Sequence, residues 1–257
     1  MSIDKSFLEI RKIVRTQGKH VMQKLFDDYL TGLITKKRIP SCFLCGSEKN
    51  ITKEHILPRW VFESNDKHFF TSDVNQLNQS YIRATIPACL PCNSVLLNNV
   101  EKYIQKTLSE VNLKTRYYSE DEWENVIRWL EIIDYKFQVW DLQSTFIRHK
   151  KSHYVPALAD FSIAFMRDLS VRSVTTKTRL AMKRVGTKNK GDRANSLIVG
   201  RTIKKSFHYF HTSGQFMHLE LPTYNKGFFY FFEKKFKSDK AALNEAKKII
   251  KFAYDLP

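Results

Sequence analysis

The chain has 257 residues, 42% of them hydrophobic and 13% aromatic, which excludes a disordered protein and allows a sizeable core. Its 43 Lys and Arg exceed its 26 Asp and Glu, and the resulting net charge of +17 attracts polyanions. We expect nucleic acid as the partner, with non-specific attachment to ribosomes or lipid surfaces as the alternative. The sequence has no apolar run of about 18 residues, and MSIDKSFLEIRK lacks a signal peptide's apolar segment. We therefore expect a cytoplasmic protein without a membrane partner.

Residues 1–40 are predicted to form a helical region. Apolar side chains recur close to helical spacing between Phe7 and Leu30. The pattern predicts one long helix or two shorter ones, with Gly18 as the expected break. Pro40 is expected to end this region.

Four cysteines form two CxxC pairs, Cys42 with Cys45 and Cys89 with Cys92. Such pairs are poor disulfide candidates in a reducing cytosol, whereas two CxxC turns present four thiolates to one tetrahedral ion. A single pair would leave a thioredoxin-like redox function open. Two pairs with no cysteine left over favour a structural zinc site.

An acid, a histidine and an asparagine accompany the cysteines. The segment Lys53-Glu54-His55-Ile56-Leu57-Pro58 lies between the two pairs, and Asn93 directly follows Cys92. Taken together, these motifs resemble the HNH (ββα-metal) endonuclease family in its four-cysteine zinc variety. They are also similar to phage endonucleases that resolve branched DNA. The resemblance covers residues 41–105, and three matches in the same order make it more specific than any one of them.

These residue types suit phosphodiester hydrolysis. The carboxylate of Glu54 and the amide carbonyl of Asn93 are ligands suited to Mg²⁺ or Mn²⁺. His55 is the natural base at neutral pH, because the ordinary pKa of histidine is about 6.5. Each residue alone also has an ordinary interpretation, as a surface acid, a strand-edge histidine and a helix N-cap. Their joint placement against two CxxC pairs favours the catalytic one.

The resemblance implies more about the site. Glu54 and His55 would lie where the first strand of a hairpin gives way to a loop, and Asn93 would begin the following helix. The cleaved DNA would carry 5′-phosphate and 3′-hydroxyl ends. The sequence departs from the family at Glu54, because the family's metal-binding acid is most often Asp or is replaced by His.

Two further positions are left open by the motifs. The family has a middle Asn that orients the catalytic His through the connecting loop, and both Asn75 and Asn78 are candidates, with Asn75 preferred. Glu101 lies two helical turns after Asn93. We expect its carboxylate either to approach the cation or to brace the loop.

Residues 106–170 return to a helical pattern. Ser119-Glu-Asp-Glu-Trp is typical of an N-cap followed by acids in the first helical turn. The aromatic stripe from Trp123 to Trp140 predicts a helix that packs in the core.

Residues 171–257 form the last region. Between 171 and 205 eleven Lys or Arg accompany one acid, Asp192, which predicts a mobile basic loop over a phosphate backbone or, as the alternative, a solvated surface loop. The candidate nucleic-acid-binding residues are Lys183, Arg184, Lys188 and Lys190. The aromatic stretch that follows predicts β-hairpins with turns at Thr212-Ser-Gly and Asn225-Lys-Gly, and SDKAALNEAKKIIKFAY predicts a closing helix.

These patterns predict an α+β protein. A ββα-metal module at residues 41–105 is expected between the helical region 1–40 and the regions 106–170 (helical) and 171–257 (mixed). The predicted function is a metal-dependent DNA endonuclease with structural zinc and catalytic Mg²⁺ or Mn²⁺. The alternatives are a non-catalytic zinc ribbon that binds nucleic acid, and an RNA-directed nuclease. A role in restriction or antiphage defence rests on analogy, and the sequence does not predict a protein partner or an oligomeric state.

Overall fold

The computed structural model describes residues 4–35, 40–62, 69–71, 78–144, 163–188, 190–212 and 214–254. Within these residues the helices are α1 (Lys5–Thr35), α2 (Asn98–Glu110), α3 (Glu120–Ser144), α4 (Ile163–Gly186) and α5 (Asp239–Tyr254). The strands are β1 (Ile51–His55), β2 (Phe69–Thr71), β3 (Asn78–Ser80), β4 (Thr85–Cys89), β5 (Leu197–Gly200), β6 (His208–Thr212), β7 (Phe216–Leu221) and β8 (Lys226–Phe231). The mixture confirms the α+β prediction.

The described strands form three antiparallel sheets. β1 pairs with β4, β2 pairs with β3, and a larger sheet has the order β5-β8-β7-β6. The predicted hairpins at β6–β7 and β7–β8 are therefore present, and Asn225 takes a left-handed φ of 52° just before β8. β5 was not predicted from the sequence, because its four residues lie within the basic segment 171–205, which we interpreted as a loop.

α3 is the central helix of the molecule. Almost every side chain from Asn125 to Leu142 is buried, including Trp129 and Tyr135, so the predicted aromatic stripe is a core stripe. The helix packs on α4, α1, α2 and β4. One continuous core joins it to α1, to the β1–β4 pair and to the large sheet. Because α3 is buried along most of its length, it helps to position each of the elements that pack on it.

α1 and α4 pack closely at two glycines. The helix α1 runs through Gly18 without a break, so the predicted interruption is wrong. A Cβ on Gly18 would lie 3.1 Å from Met182 Sδ, and one on Gly186 would lie 3.2 Å from Val14 Cγ1. Glycine is present here because it lets two helices approach each other, at a cost of about 1 kcal/mol in helix propensity.

α4 corrects a second prediction. Residues 171–186, which we expected to belong to a mobile basic loop, continue a helix that packs on α1 and α3. The segment's Lys and Arg alternate with Ala181, Met182 and Val185, which are buried. Within the described part of the chain, no helix has the length and apolar character needed to cross a bilayer.

Candidate functional site

The four cysteines meet at one point. The sulfurs of Cys42, Cys45, Cys89 and Cys92 all lie within 4.8 Å of one another, and those of Cys45 and Cys89 are 3.6 Å apart. Three of the residues are buried, and Cys45 is half-buried. This cluster is a candidate metal-binding site, and four cysteine sulfurs are compatible with structural zinc.

The backbone around the first cysteine pair positions these sulfurs. Gly46 N–H donates to the Cys42 carbonyl at 2.8 Å, and Cys42 N–H donates to the Ser47 carbonyl at 2.7 Å. Gly46 has a φ of +72°, which glycine adopts without strain. α3 supports the same turn, because the Tyr135 hydroxyl donates to the Phe43 carbonyl at 2.7 Å.

The thiol chemistry of the cluster fits a cation. A hydrogen bond from Cys92 lowers the pKa of the Cys42 thiol, and the same bond raises the pKa of the Cys92 thiol. Burial raises the pKa of the Cys45 thiol. Burial and the shared hydrogen bond therefore oppose ionisation of Cys45 and Cys92, whereas a divalent cation would hold all four residues as thiolates.

Glu54 and Asn93 lie on the same side of β1. Thr52 and Glu54 share one face of the strand, because side chains alternate along it. Asn93 follows Cys92 in a wide π-helical turn, Cys92–Leu97, that leads into α2, and its Nδ2 donates to Thr52 Oγ1 at 2.8 Å. Because the amide nitrogen donates this hydrogen bond, the amide oxygen is the atom left to bind a ligand.

His55 is the last residue of β1. It is half-buried, and a ring nitrogen donates a hydrogen bond to the Ile82 carbonyl in the short helical turn before β4. Burial lowers the pKa of His55, the Glu54 carboxylate opposes this shift, and the positive charge of Arg59 reinforces it. The lowered pKa favours the neutral imidazole, which is the form that can accept a proton.

One pocket of about 490 Å³ gathers the candidate residues. Glu54, His55, Asn93 and Glu101 all contribute to its wall. Burial raises the pKa of Glu101, while the nearby Lys136 ammonium opposes that shift. The pocket therefore combines two carboxylates, an amide and an imidazole, a set that suits binding a hard cation and accepting a proton from water.

Lys136 of α3 enters the same place from outside the predicted module. Its Nζ forms an ion pair with Glu54 Oε1, lies 3.9 Å from Glu101 Oε1 and donates to the His55 carbonyl at 3.2 Å. Lys136 was not predicted to be a site residue. The available signal was a lysine between Tyr135 and Phe137, within a stripe already predicted to be buried.

No protein-family model, curated protein or solved structure matches this chain significantly.

The family's middle asparagine has two candidates, Asn75 and Asn78. Asn75 lies outside the described residues. Asn78 is the first residue of β3, where it is paired with Thr71. In the described residues it is the Ile82 carbonyl that holds the His55 ring, and a backbone carbonyl leaves no signature in the sequence.

The four basic candidates divide into two pairs. Lys183 and Lys188 are exposed, whereas Arg184 and Lys190 are buried. Arg184 Nη2 donates to Asp134 Oδ2 at 2.6 Å, and Lys190 forms an ion pair with the buried Glu131. The prediction that Arg184 and Lys190 contact a phosphate backbone is therefore corrected, because buried carboxylates already hold both cations.

The two exposed lysines line a groove between α1 and α4. The groove has a volume of about 1040 Å³, and its described lining includes three more exposed cations, Arg15, Lys19 and Arg179. Asp and Glu are absent from that described lining. The charged residues of its described lining are therefore all basic, and they lie beside apolar residues such as Met22 and Phe26.

Proposed function

We propose that this protein is a metal-dependent endonuclease of the HNH (ββα-metal) type that hydrolyses phosphodiester bonds in DNA. The observation that carries the proposal is the single pocket shared by Glu54, His55 and Asn93. β1 supplies Glu54 and His55, and the π-helical turn that follows its partner strand β4 supplies Asn93. The four-cysteine cluster lies at the junction of β4 with that turn.

Each residue has a role in the proposal. The Glu54 carboxylate and the Asn93 amide oxygen hold a divalent cation, Mg²⁺ or Mn²⁺. When bound, such a cation stabilises negative charge on the scissile phosphate and on the leaving oxygen. His55 accepts a proton from the attacking water at the ring nitrogen that does not donate to Ile82. Glu101 supplies a second carboxylate at the wall of the pocket.

Zinc has a separate, structural role in the proposal. Cys42, Cys45, Cys89 and Cys92 would bind one zinc ion, which would tie the turn before β1 to the end of β4. Because Asn93 directly follows Cys92, the same ion would fix the position of the asparagine. The zinc therefore supports the catalytic pocket without entering the reaction.

The nucleic acid would be attracted by the groove between α1 and α4. Lys183 and Lys188 remain candidate contacts, and Arg15, Lys19 and Arg179 join them. A described lining whose charged residues are all basic favours contact with a phosphate backbone. A cytoplasmic location, expected from the sequence, belongs to this proposal, and a role in restriction or antiphage defence is added by analogy.

One observation favours a second candidate function, a non-catalytic zinc ribbon that binds nucleic acid. Glu54 already has a buried cationic partner in Lys136, so its carboxylate is satisfied without a metal ion. An RNA-directed nuclease differs from the first proposal only in substrate. The site chemistry acts on either backbone.

The test is a substrate panel. Purified protein is incubated with supercoiled, linear and single-stranded DNA and with RNA, in Mg²⁺, Mn²⁺ or EDTA. We expect cleavage of DNA that EDTA abolishes, with 5′-phosphate ends. Cleavage of RNA alone would favour the RNA-directed nuclease, and binding without cleavage in every metal would favour the zinc ribbon.

A further inference from the structure

Lys136 occupies the space between the two carboxylates of the pocket. Its ammonium group contacts Glu54 and lies 3.9 Å from Glu101, and the side chains of the three residues are 2%, 8% and 22% exposed. A divalent cation held by Glu54 would be attracted by the same negative charge. The lysine and the cation therefore compete for one negative site.

The charges explain why a lysine is present. Two partly buried carboxylates without a cation would repel each other and leave uncompensated buried charge, which is strongly destabilising. Lys136 supplies one positive charge whenever no metal ion is bound. It comes from α3, whose side chains are almost all buried between Asn125 and Leu142, so its presence does not depend on substrate or metal.

We propose that Lys136 is a built-in counter-ion that competes with the divalent cation for Glu54 and Glu101, and so sets a weak metal affinity for the pocket. This inference rests on the proposed function, because it assumes that the pocket binds a cation. Lys136 is a positioning residue in this account and touches no substrate.

The structure offers the ammonium group a second acceptor. Lys136 Nζ also donates to the His55 carbonyl at 3.2 Å, so the group keeps a partner when the cation takes Glu54. Lysine suits this exchange, because its ammonium is a compact charge on a flexible stem with three donors. The pocket can thus change between an ammonium-paired and a metal-bound arrangement without leaving a bare charge.

The experiment compares K136Q with K136R in the zinc-loaded full chain. Glutamine retains a hydrogen-bond donor for Glu54 and removes the charge, whereas arginine retains the charge. Mn²⁺ binding is measured by calorimetry and by electron paramagnetic resonance. We expect K136Q to bind Mn²⁺ at least about ten-fold more tightly than wild type, because removing a like charge near 4 Å strengthens cation binding. K136R should stay near wild type, and E54Q/K136Q should lose the gain.

If Lys136 had only a structural role, K136Q would not bind Mn²⁺ more tightly than wild type. Unchanged or weaker Mn²⁺ binding by folded K136Q would overturn the proposal. Should K136Q fail to fold, the wild-type protein supplies the test: the ¹⁵Nζ resonance of Lys136, assigned by its absence in K136R, should shift as Mg²⁺ saturates the pocket. Saturation without a shift would also overturn it.

The two proposals fail in different ways. Tighter Mn²⁺ binding by K136Q without cleavage of any nucleic acid would support the counter-ion proposal and overturn the nuclease proposal. Metal-dependent cleavage with unchanged Mn²⁺ affinity in K136Q would do the reverse. An absence of Mn²⁺ binding to Glu54 in both wild type and K136Q would remove both.

Discussion

Lys183 and Arg184 are neighbours in α4 with opposite environments. The lysine is exposed, and the arginine is paired with the fully buried Asp134 and with Glu233. Net charge and local sequence do not distinguish the two residues, because both belong to the same basic segment. What separates them is a carboxylate 50 residues earlier in the chain, on another helix.

This difference predicts two distinct variant phenotypes. R184M should lower the free energy of unfolding by about 3 kcal/mol or more, because it leaves the Asp134 carboxylate buried without its arginine partner. K183M, the matched control, should change it by less than about 0.5 kcal/mol. Urea unfolding followed by circular dichroism measures both. Equal effects from the two variants would contradict the assignment of Arg184 to the core.

Other features of the site were beyond the reach of the sequence for the same physical reason. Glu54 and Lys136 are 82 residues apart, and no local pattern joins them. The partner of the His55 ring is a backbone carbonyl, which any residue type at position 82 would provide. The cysteine cluster was predictable, because tetrahedral ligation imposes a short, fixed spacing on the ligands. Its four members were identified by that spacing alone.

At the scale of elements, the start of α3 follows the sequence prediction closely. Ser119 N–H donates to Glu122 Oε2 at 2.8 Å, and Glu122 N–H donates to Ser119 Oγ at 3.3 Å, which is a reciprocal capping arrangement. Arg116 adds an ion pair to Glu122 at 2.8 Å. Capping signals can be recognised in a sequence because the residues that form them are only three or four positions apart.

This cap predicts a dependence of stability on pH. The hydrogen bond from Arg116 is the largest cause that lowers the pKa of Glu122, from 4.5 to about 2. A carboxyl with a lowered pKa stabilises the fold fully above pH 4.5, and the contribution is lost as the pH falls towards 2. E122Q should remove about 1 kcal/mol at pH 7, a figure discounted for solvent exposure, and should lose less stability on acidification.

The measurement is chemical unfolding of wild type, E122Q and E120Q between neutral pH and the lowest pH at which the protein stays folded. E120Q alters an exposed acid in the same helical turn and is the matched control. The account of the cap would be wrong if E122Q and wild type lost stability in parallel over that range.

Elements whose identity depends on packing were harder to predict. A glycine in the middle of a helical pattern indicates a break when only propensity is considered, yet Gly18 lies against Met182 in an unbroken helix. The basic residues of α4 likewise indicate a loop, whereas its apolar side packs on α1 and α3 as part of a helix. In both cases the deciding partner is another helix, which the local sequence does not contain.

At the scale of the whole molecule, one cluster of sulfurs connects the turn before β1 to the start of the helical segment that leads into α2. If these sulfurs hold zinc, the free energy of metal binding is also free energy of folding. We expect about one zinc per chain by elemental analysis, and we expect C92S or a strong chelator to unfold the region around β1 and β4. Folded protein with less than about half an equivalent of zinc, or with a Cys42–Cys45 disulfide, would contradict this expectation.

The positive charge of the molecule makes a second prediction at this scale. K183E/K188E should weaken DNA affinity by about ten-fold or more and reduce the salt dependence of binding, because phosphate contacts release counterions. K247E/K248E makes the same charge change on α5, where both lysines are exposed, and is the control. Fluorescence anisotropy at several salt concentrations measures the difference. Equal losses in the two variants would indicate that net charge, and not the groove, determines binding.

The central claim is that Glu54, His55 and Asn93 form one metal-dependent nuclease site. Single-turnover cleavage of DNA by wild type, H55A, E54Q and N93A tests it most directly. The variants are first matched for zinc content, folding and DNA affinity.

We predict that H55A cleaves more slowly by a factor on the order of 10² to 10⁴ and is not rescued by Mn²⁺, because the base itself is missing. E54Q and N93A should instead regain part of their activity at raised Mn²⁺, because their defect lies in holding the cation. Wild-type cleavage rates in a well-folded H55A protein would contradict the account and would place the catalytic base elsewhere in the chain.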